Sequence, residues 1–319
     1  MRSHVWDGRE VSVIGLGSGE FGGKCPEALA RELMDAYVAL GGNFLDTARV
    51  YGDFVTPRNG ESEKVIGRWM ADRHCRERIF LSTKGGHPPF FSLHESRLSR
   101  DEVRHDLAES LTDLQTDRVD IFWLHRDDES RPVGEILETL QSLLDDGWTA
   151  RVGVSNWRTE RIREAQRYAK DHGLTPLSAN QPQFSLARTV RFADDTLVCM
   201  DDAMYRLHTE TDLPCCCFSS QAQGFFTKLE EKGLDALPTS LRQTYESPDN
   251  LAILERIRAL KAETGLSTAA IALAYVTSQP FPCFALAGAS RVEQVLALGD
   301  AMDAALTPQQ RDGLRRMGP

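Results

Sequence analysis

The chain has no apolar run long enough to cross a membrane. Its longest, FPCFALAGA at 281–289, falls well short of the ~18 residues a span requires. The first ten residues, MRSHVWDGRE, are too polar for a secretory leader. Positive charge is also scarce. There are 37 Lys and Arg against 47 Asp and Glu, for a formal net charge of −10 and a pI near 5.4. That balance argues against nucleic acid or an anionic membrane as the main partner. No Pro/Gly/Ser-rich linker and no internal repeat divides the 319 residues, so one domain over 1–319 is expected. The seven cysteines show neither metal-like nor disulfide-like spacing. Cys215, Cys216 and Cys217 are consecutive in a strand-like run, so they point to alternating faces and cannot share one metal ion. They read as small buried residues, no metal is expected, and a reducing cytoplasm is the expected compartment.

What the chain does contain is a 41% hydrophobic, 26% charged sequence in which strand-like and helix-like runs alternate almost from end to end. That is the pattern of a parallel α/β fold. Strands are expected to end at Gly17, Asp46, Lys84, His125, Ser155, Gln183, Ser219 and Gly288. Eight is the number a closed (β/α)₈ barrel requires. Helices are expected over 27–40, 101–114 and 132–146. In the last, Ile136, Leu137, Leu140, Leu143 and Leu144 share one face. Ser99 with Glu102 reads as a capping box. Asp7-Gly8 between two short strand-like pieces signals a hairpin before the barrel. Residues 85–100 and 220–248 are long connections that follow strand ends and should overhang the barrel mouth.

Functional side chains at successive strand ends are what such a barrel offers, because its site lies at the carboxyl-terminal face. Asp46 closes NFLD, Tyr51 follows in DTARVYG, Lys84 closes IFLSTK, and His125 closes VDIFWLH. Reducing a carbonyl needs a hydride for carbon and a proton for oxygen. No side chain donates hydride, so a nicotinamide must. A phenol can supply the proton if an ammonium beside it stabilises the phenolate. Lys84 would do this, with Asp46 holding it charged and in place, so Tyr51 would be the general acid. His125 would hydrogen-bond the substrate oxygen and orient it.

At these four residues, in this order, the chain resembles the aldo-keto reductase superfamily from about Val11 to about Leu306. The resemblance implies a (β/α)₈ barrel with a hairpin covering its bottom, the Asp-Tyr-Lys-His tetrad as catalytic residues, and NADPH, or alternatively NADH, as cofactor. It implies that Ser155 and Asn156 in GVSN, with Gln181 in SANQPQF, hold the nicotinamide carboxamide. Phe218, followed by Ser219, stands where the family places a stacking aromatic, more often Tyr or Trp. Phenylalanine keeps the stacking face and loses the polar tip; a core strand aromatic is the competing reading. In LAGASRVEQ, the resemblance puts the adenosine 2′-phosphate near Gly288, Ser290, Arg291 and Gln294, with Arg291 able to grip phosphate by two parallel hydrogen bonds. The competing reading makes Arg291 a solvated first-turn residue. This segment has no glycine-rich dinucleotide fingerprint, and Ala297 and Leu298 replace the Glu-Asn that many members use for adenine.

Arg126, Asp127 and Asp128 read as a solvated loop, and His87 and His94 lack metal-ligand spacing. Phe90, Phe91, Phe225 and Phe226 either line an apolar pocket or anchor the long connections. The short stretch after the last helical run implies no extended tail over the site. The expected activity is reduction of an aldehyde or ketone, a small-molecule carbonyl, with no nucleic-acid or membrane partner and no oligomeric state specified. The alternative is a cofactor-sensing binding protein resembling potassium-channel β-subunits. A metal-dependent barrel hydrolase is disfavoured, because no His/Asp pair with ligand spacing stands at the first strand end.

Overall fold

The computed structural model describes residues 2–52, 60–192 and 194–317. Strands β1 (Ser3–Trp6) and β2 (Arg9–Ser12) form an antiparallel hairpin. Asp7 and Gly8 at its turn have φ of 48° and 80°. This left-handed pair matches the twist of the flanking strands. Trp6 stacks on Phe80 and Phe284 with ring centroids 5.2 Å away in each case, so the hairpin covers the amino-terminal end of the barrel that follows.

The barrel consists of β3 (Ile14–Gly17), β4 (Phe44–Asp46), β5 (Phe80–Gly85), β6 (Ile121–Leu124), β7 (Val152–Ser155), β8 (Ala179–Gln181), β9 (Cys215–Cys217) and β10 (Cys283–Gly288). All neighbours pair in parallel, and β10 closes against β3. Every expected strand is present. Three end earlier than read: β6 stops at Leu124 rather than His125, β8 at Gln181 rather than Gln183, and β9 at Cys217 rather than Ser219, while β5 runs one residue further, to Gly85. An isolated bridge between Gln183 and Phe218 carries the pairing a little further.

Side-chain alternation divides the core in two. Phe44, Phe80, Ile121, Trp123, Cys216 and Phe284 belong to an inner cluster that fills the barrel. Their strand neighbours Leu45, Leu81, Phe122, Cys215, Cys217 and Ala285 belong to a larger outer cluster under the helices. The same alternation places Asp46 two residues beyond Phe44, Lys84 four beyond Phe80 and His125 four beyond Ile121, on the inner face at the carboxyl-terminal end.

The helices are α1 (Glu27–Ala39), α2 (Glu61–Arg73), α3 (Arg100–Asp113), α4 (Val133–Asp145), α5 (Thr159–His172), α6 (Asp202–Thr211), α7 (Phe225–Lys232), α8 (Thr239–Tyr245), α9 (Pro248–Thr264), α10 (Thr268–Thr277), α11 (Val292–Asp303) and α12 (Pro308–Leu314). In α4, Ile136, Leu137, Leu140 and Leu143 are buried and Leu144 packs on the core at its edge. Ser99 caps α3 by accepting from the Glu102 backbone N–H. Only half of the expected box forms, because the Glu102 carboxylate accepts from the Ser99 hydroxyl at 2.5 Å instead of from backbone. Segment 220–248 is not an open loop. It carries α7 and α8, with Phe225, Phe226 and Tyr245 buried in the outer core. Among the described residues, no helix is long and apolar enough to cross a membrane.

Candidate active site

The register of β4, β5 and β6 builds the centre of the site. Asp46 pairs with Ser82, and Lys84, two residues further along the same face, pairs with Trp123. Lys84 Nζ lies 2.5 Å from Asp46 Oδ2 and donates to the Thr47 carbonyl at 2.7 Å. Asp46 Oδ1 accepts from Ser82 Oγ at 2.6 Å and from Gln181 Nε2 at 3.1 Å. Burial works against the Lys84 ammonium, but Asp46 and the Tyr51 hydroxyl outweigh it and raise its pKa above the ordinary lysine value. Lys84 is therefore a fixed cation, and its Nζ sits 4.7 Å from the centre of the Tyr51 ring.

Tyr51 lies beyond β4, and its placement depends on a residue that reading the sequence passed over. Arg49 is buried and pairs with Glu63 at 3.1 Å and Asp113 at 2.6 Å. Glu63, fully buried, also accepts from Thr83 Oγ1 at 2.5 Å. Arg49 backbone N–H donates to the Lys84 carbonyl at 2.9 Å, and the Tyr51 carbonyl accepts from the Ser62 N–H at 3.2 Å. The segment carrying the phenol is thus tied to both β5 and α2. The signal was in DTARVYG itself: an arginine between apolar neighbours, with Glu63 a short way downstream.

His125 follows β6 directly, and its backbone N–H donates to the Gly85 carbonyl at 2.9 Å. Its ring stands edge-on to Tyr51, with centroids 5.8 Å apart. Burial, followed by repulsion from its neighbours His87, Arg126 and Lys84, drives its pKa well below the usual histidine value. The imidazole is neutral at neutral pH and carries one N–H able to donate. Its Nδ1 is buried without a partner.

Tyr51 and His125 open onto a cavity of about 340 Å³ whose wall includes Ser155, Asn156, Gln181 and Phe218. Four of the expected cofactor residues therefore share this cavity with the phenol and imidazole. Their hydrogen bonding differs from the simple expectation. Ser155 Oγ donates to the Gln181 carbonyl at 2.8 Å, and Asn156 Nδ2 reaches the His125 carbonyl at 3.2 Å and Ser155 Oγ at 3.1 Å. Asn156 Oδ1 accepts from the Val198 N–H at 3.1 Å. These side chains first fix one another, and their remaining lone pairs suit an amide NH₂.

Ser219, in contrast, is not part of the cavity wall; it turns the chain with φ of 53°. Gly288 ends β10, and Ser290, Arg291 and Gln294 follow it; all four are exposed. Gln294 Oε1 accepts from the Ser290 N–H at 2.8 Å and its hydroxyl at 3.1 Å. Among the described residues no carboxylate pairs with Arg291. Leu298 is buried in the outer core, leaving Ala297 as the exposed member of that pair. In barrel order, Ser155, Gln181, Phe218 and Gly288–Arg291 stand at or just past the ends of β7, β8, β9 and β10 in turn, an arc of adjacent strands beside the tetrad.

Other expectations resolve residue by residue. Phe90 lines the cavity, Phe91 is 92% exposed, and Phe225 and Phe226 anchor their segment in the core. His87 and Arg126 belong to the cavity wall. Arg126 is buried rather than solvated, pairing with Asp194 at 3.0 Å. Cys215 and Cys217 share the outer face with Cys283, their three Sγ atoms within 4.8 Å of one another, while Cys216 faces inward. Burial raises the Cys215 and Cys217 thiols well above their usual range, so these two pack as neutral apolar groups.

The aldo/keto reductase family profile matches residues 13–317. The chain is 27% identical to norsolorinic acid reductase B of Aspergillus parasiticus, over 93% of this chain and 76% of that protein. It is 29% identical to a putative aryl-alcohol dehydrogenase of Saccharomyces cerevisiae, over 98% of this chain and 84% of the relative. It is 28% identical to a probable voltage-gated potassium channel subunit beta of Arabidopsis thaliana, over 97% and 94% of the two chains. With the profile spanning the closed barrel and all four residues around its mouth, the chain belongs to the aldo/keto reductase family.

Proposed function

We propose that this protein is an NADPH-dependent reductase that converts an aldehyde or ketone into an alcohol, working in the cytoplasm. The observation that carries this reading is the position of Lys84, a buried cation clamped by Asp46 and set against the Tyr51 ring. The donor set fits a nicotinamide dinucleotide. Gln181, Ser155 and Asn156 offer amide-complementary groups, Phe218 offers an aromatic face, and Arg291 is an exposed guanidinium with no acidic partner among the described residues. When bound, the nicotinamide supplies the hydride. Tyr51 delivers the proton to the substrate oxygen, and the Lys84 charge stabilises the phenolate left behind. His125, neutral, donates to that oxygen and orients the carbonyl in the cavity. Ser290 and Gln294 support Arg291 at the 2′-phosphate.

The names of two relatives favour a second reading, a cofactor-sensing subunit with little turnover. One experiment separates the two. NADPH consumption is followed with an aromatic aldehyde and an open-chain sugar aldehyde, comparing wild type with Tyr51→Phe. The reductase reading expects turnover that falls about 10²-fold or more in the variant while NADPH still binds. Undiminished turnover in the variant removes Tyr51 as acid, and tight NADPH binding without turnover in wild type favours the sensor.

A further inference from the structure

The cavity holds a second imidazole that the tetrad does not use. His87 follows β5, is 5% exposed, and faces His125 edge-on with ring centroids 4.7 Å apart. Its Nδ1 lies 2.6 Å from the Pro88 carbonyl oxygen. A carbonyl only accepts, so Nδ1 carries the proton and Nε2 is left with a lone pair. Burial, followed by the Arg126 charge, pushes the His87 pKa down to about 4, which keeps this tautomer neutral at working pH. No described residue hydrogen-bonds His87 Nε2. The guanidinium beside it on the same wall is committed: Arg126 Nη2 to Asp194 at 3.0 Å, and its Nε to Thr196 Oγ1 at 2.8 Å. The remaining wall is largely apolar, with Val50, Phe90, Leu93, Leu197 and Phe218.

Two neighbouring imidazoles therefore face one cavity in complementary states. His125 is a donor for a carbonyl oxygen, and His87 is an acceptor to which no described residue donates. The molecule that satisfies both has an O–H next to its C=O. We propose that His87 is a specificity-determining residue that selects α-hydroxy carbonyl substrates, its Nε2 accepting from the hydroxyl while His125 donates to the carbonyl. The inference rests on the reductase reading for the role of His125 and extends it to a substrate class. A bound carbonyl compound lacking the hydroxyl covers the His87 lone pair without pairing it, and is disfavoured on that account.

The test uses matched pairs: α-hydroxyacetophenone against acetophenone, and glyceraldehyde against propanal. The first pair probes aromatic hydroxyketones and the second sugar-like aldehydes. The kcat/KM ratio within each pair is measured for wild type, His87→Phe and His87→Gln. His87→Phe keeps a ring of similar shape without the acceptor, and its preference for the hydroxylated member should fall by about five- to tenfold in at least one pair. His87→Gln, whose amide oxygen accepts, should recover part of it. Equal losses for both members of both pairs, or no change, would overturn the proposal. If no compound turns over, the reductase reading fails separately, and calorimetric titration of the same pairs into the NADPH-loaded protein decides the His87 question. A wild-type binding preference lost in His87→Phe supports it, and equal binding by both proteins rejects it.

Discussion

Lys84 and Asp46 form an ion pair across neighbouring strands, Nζ to Oδ2 at 2.5 Å, with side chains 1% and 4% exposed. Such a pair is held by mutual dependence, since removing one partner leaves the other charge buried alone. Lys84→Met should destabilise the fold by roughly 3–5 kcal/mol, and Asp46→Asn by a similar amount. The double variant should lie closer to wild type than the sum of the two. Denaturant unfolding of the four proteins measures the coupling, and additive losses would mean that the two charges are screened from each other. All three variants should lose most reductase activity.

Arg49 links Tyr51 to the rest of the fold through Glu63 and Asp113. Arg49→Met should destabilise by about 3 kcal/mol or more, because Glu63 stays fully buried without its cation. It should also lower kcat more than it raises KM, since the phenol is displaced while the cavity wall from β7 to β9 is untouched. Steady-state kinetics at a temperature where the variant stays folded checks the split.

Arg291→Ala should weaken NADPH binding and leave NADH binding nearly unchanged. A charge-assisted hydrogen bond contributes roughly 1.5–3 kcal/mol, so a loss of at least tenfold in NADPH affinity is expected. Fluorescence titration with each cofactor reads this directly. Equal weakening for both would move the 2′-phosphate away from Arg291.

His208 is fully buried, and burial pushes its pKa down to about 4 despite the hydrogen bond from its ring to the Leu213 carbonyl. In the unfolded chain it titrates near 6.5. Between these values the unfolded state binds a proton that the folded state refuses, so stability falls as pH falls. Above about 6.5 this contribution is constant. Between pH 7 and pH 5, wild type should lose about 2 kcal/mol more than His208→Phe. Urea midpoints across that range test it, and parallel curves would contradict it.

The positions of the tetrad were legible because each residue stands at a fixed count from an inward-facing core residue. Once Phe44, Phe80 and Ile121 are placed inside, the two-residue strand period carries Asp46, Lys84 and His125 to the same face. The positions of Phe225 and Phe226 were not legible, because a phenylalanine in a long connection reads alike whether it lines a pocket or anchors a helix. Arg126 reads as solvated in the sequence, because its partner Asp194 lies far away in the chain. The same distance in sequence hid Cys283 from Cys215 and Cys217, although β10 and β9 lie side by side.

Sequence alone determined the number of strands, the hairpin turn at Asp7-Gly8, and the order of the four groups around the mouth, because each depends on local period or local backbone preference. Tertiary structure alone decided which side chains close the site. The pairing of Arg49 with Glu63 and Asp113, the meeting of His87 with His125, and the cavity shared by Tyr51, Gln181 and Phe218 all join residues distant in the chain. Those contacts arise from barrel closure and strand stagger, which bring successive strand ends to one rim whatever lies between them in sequence.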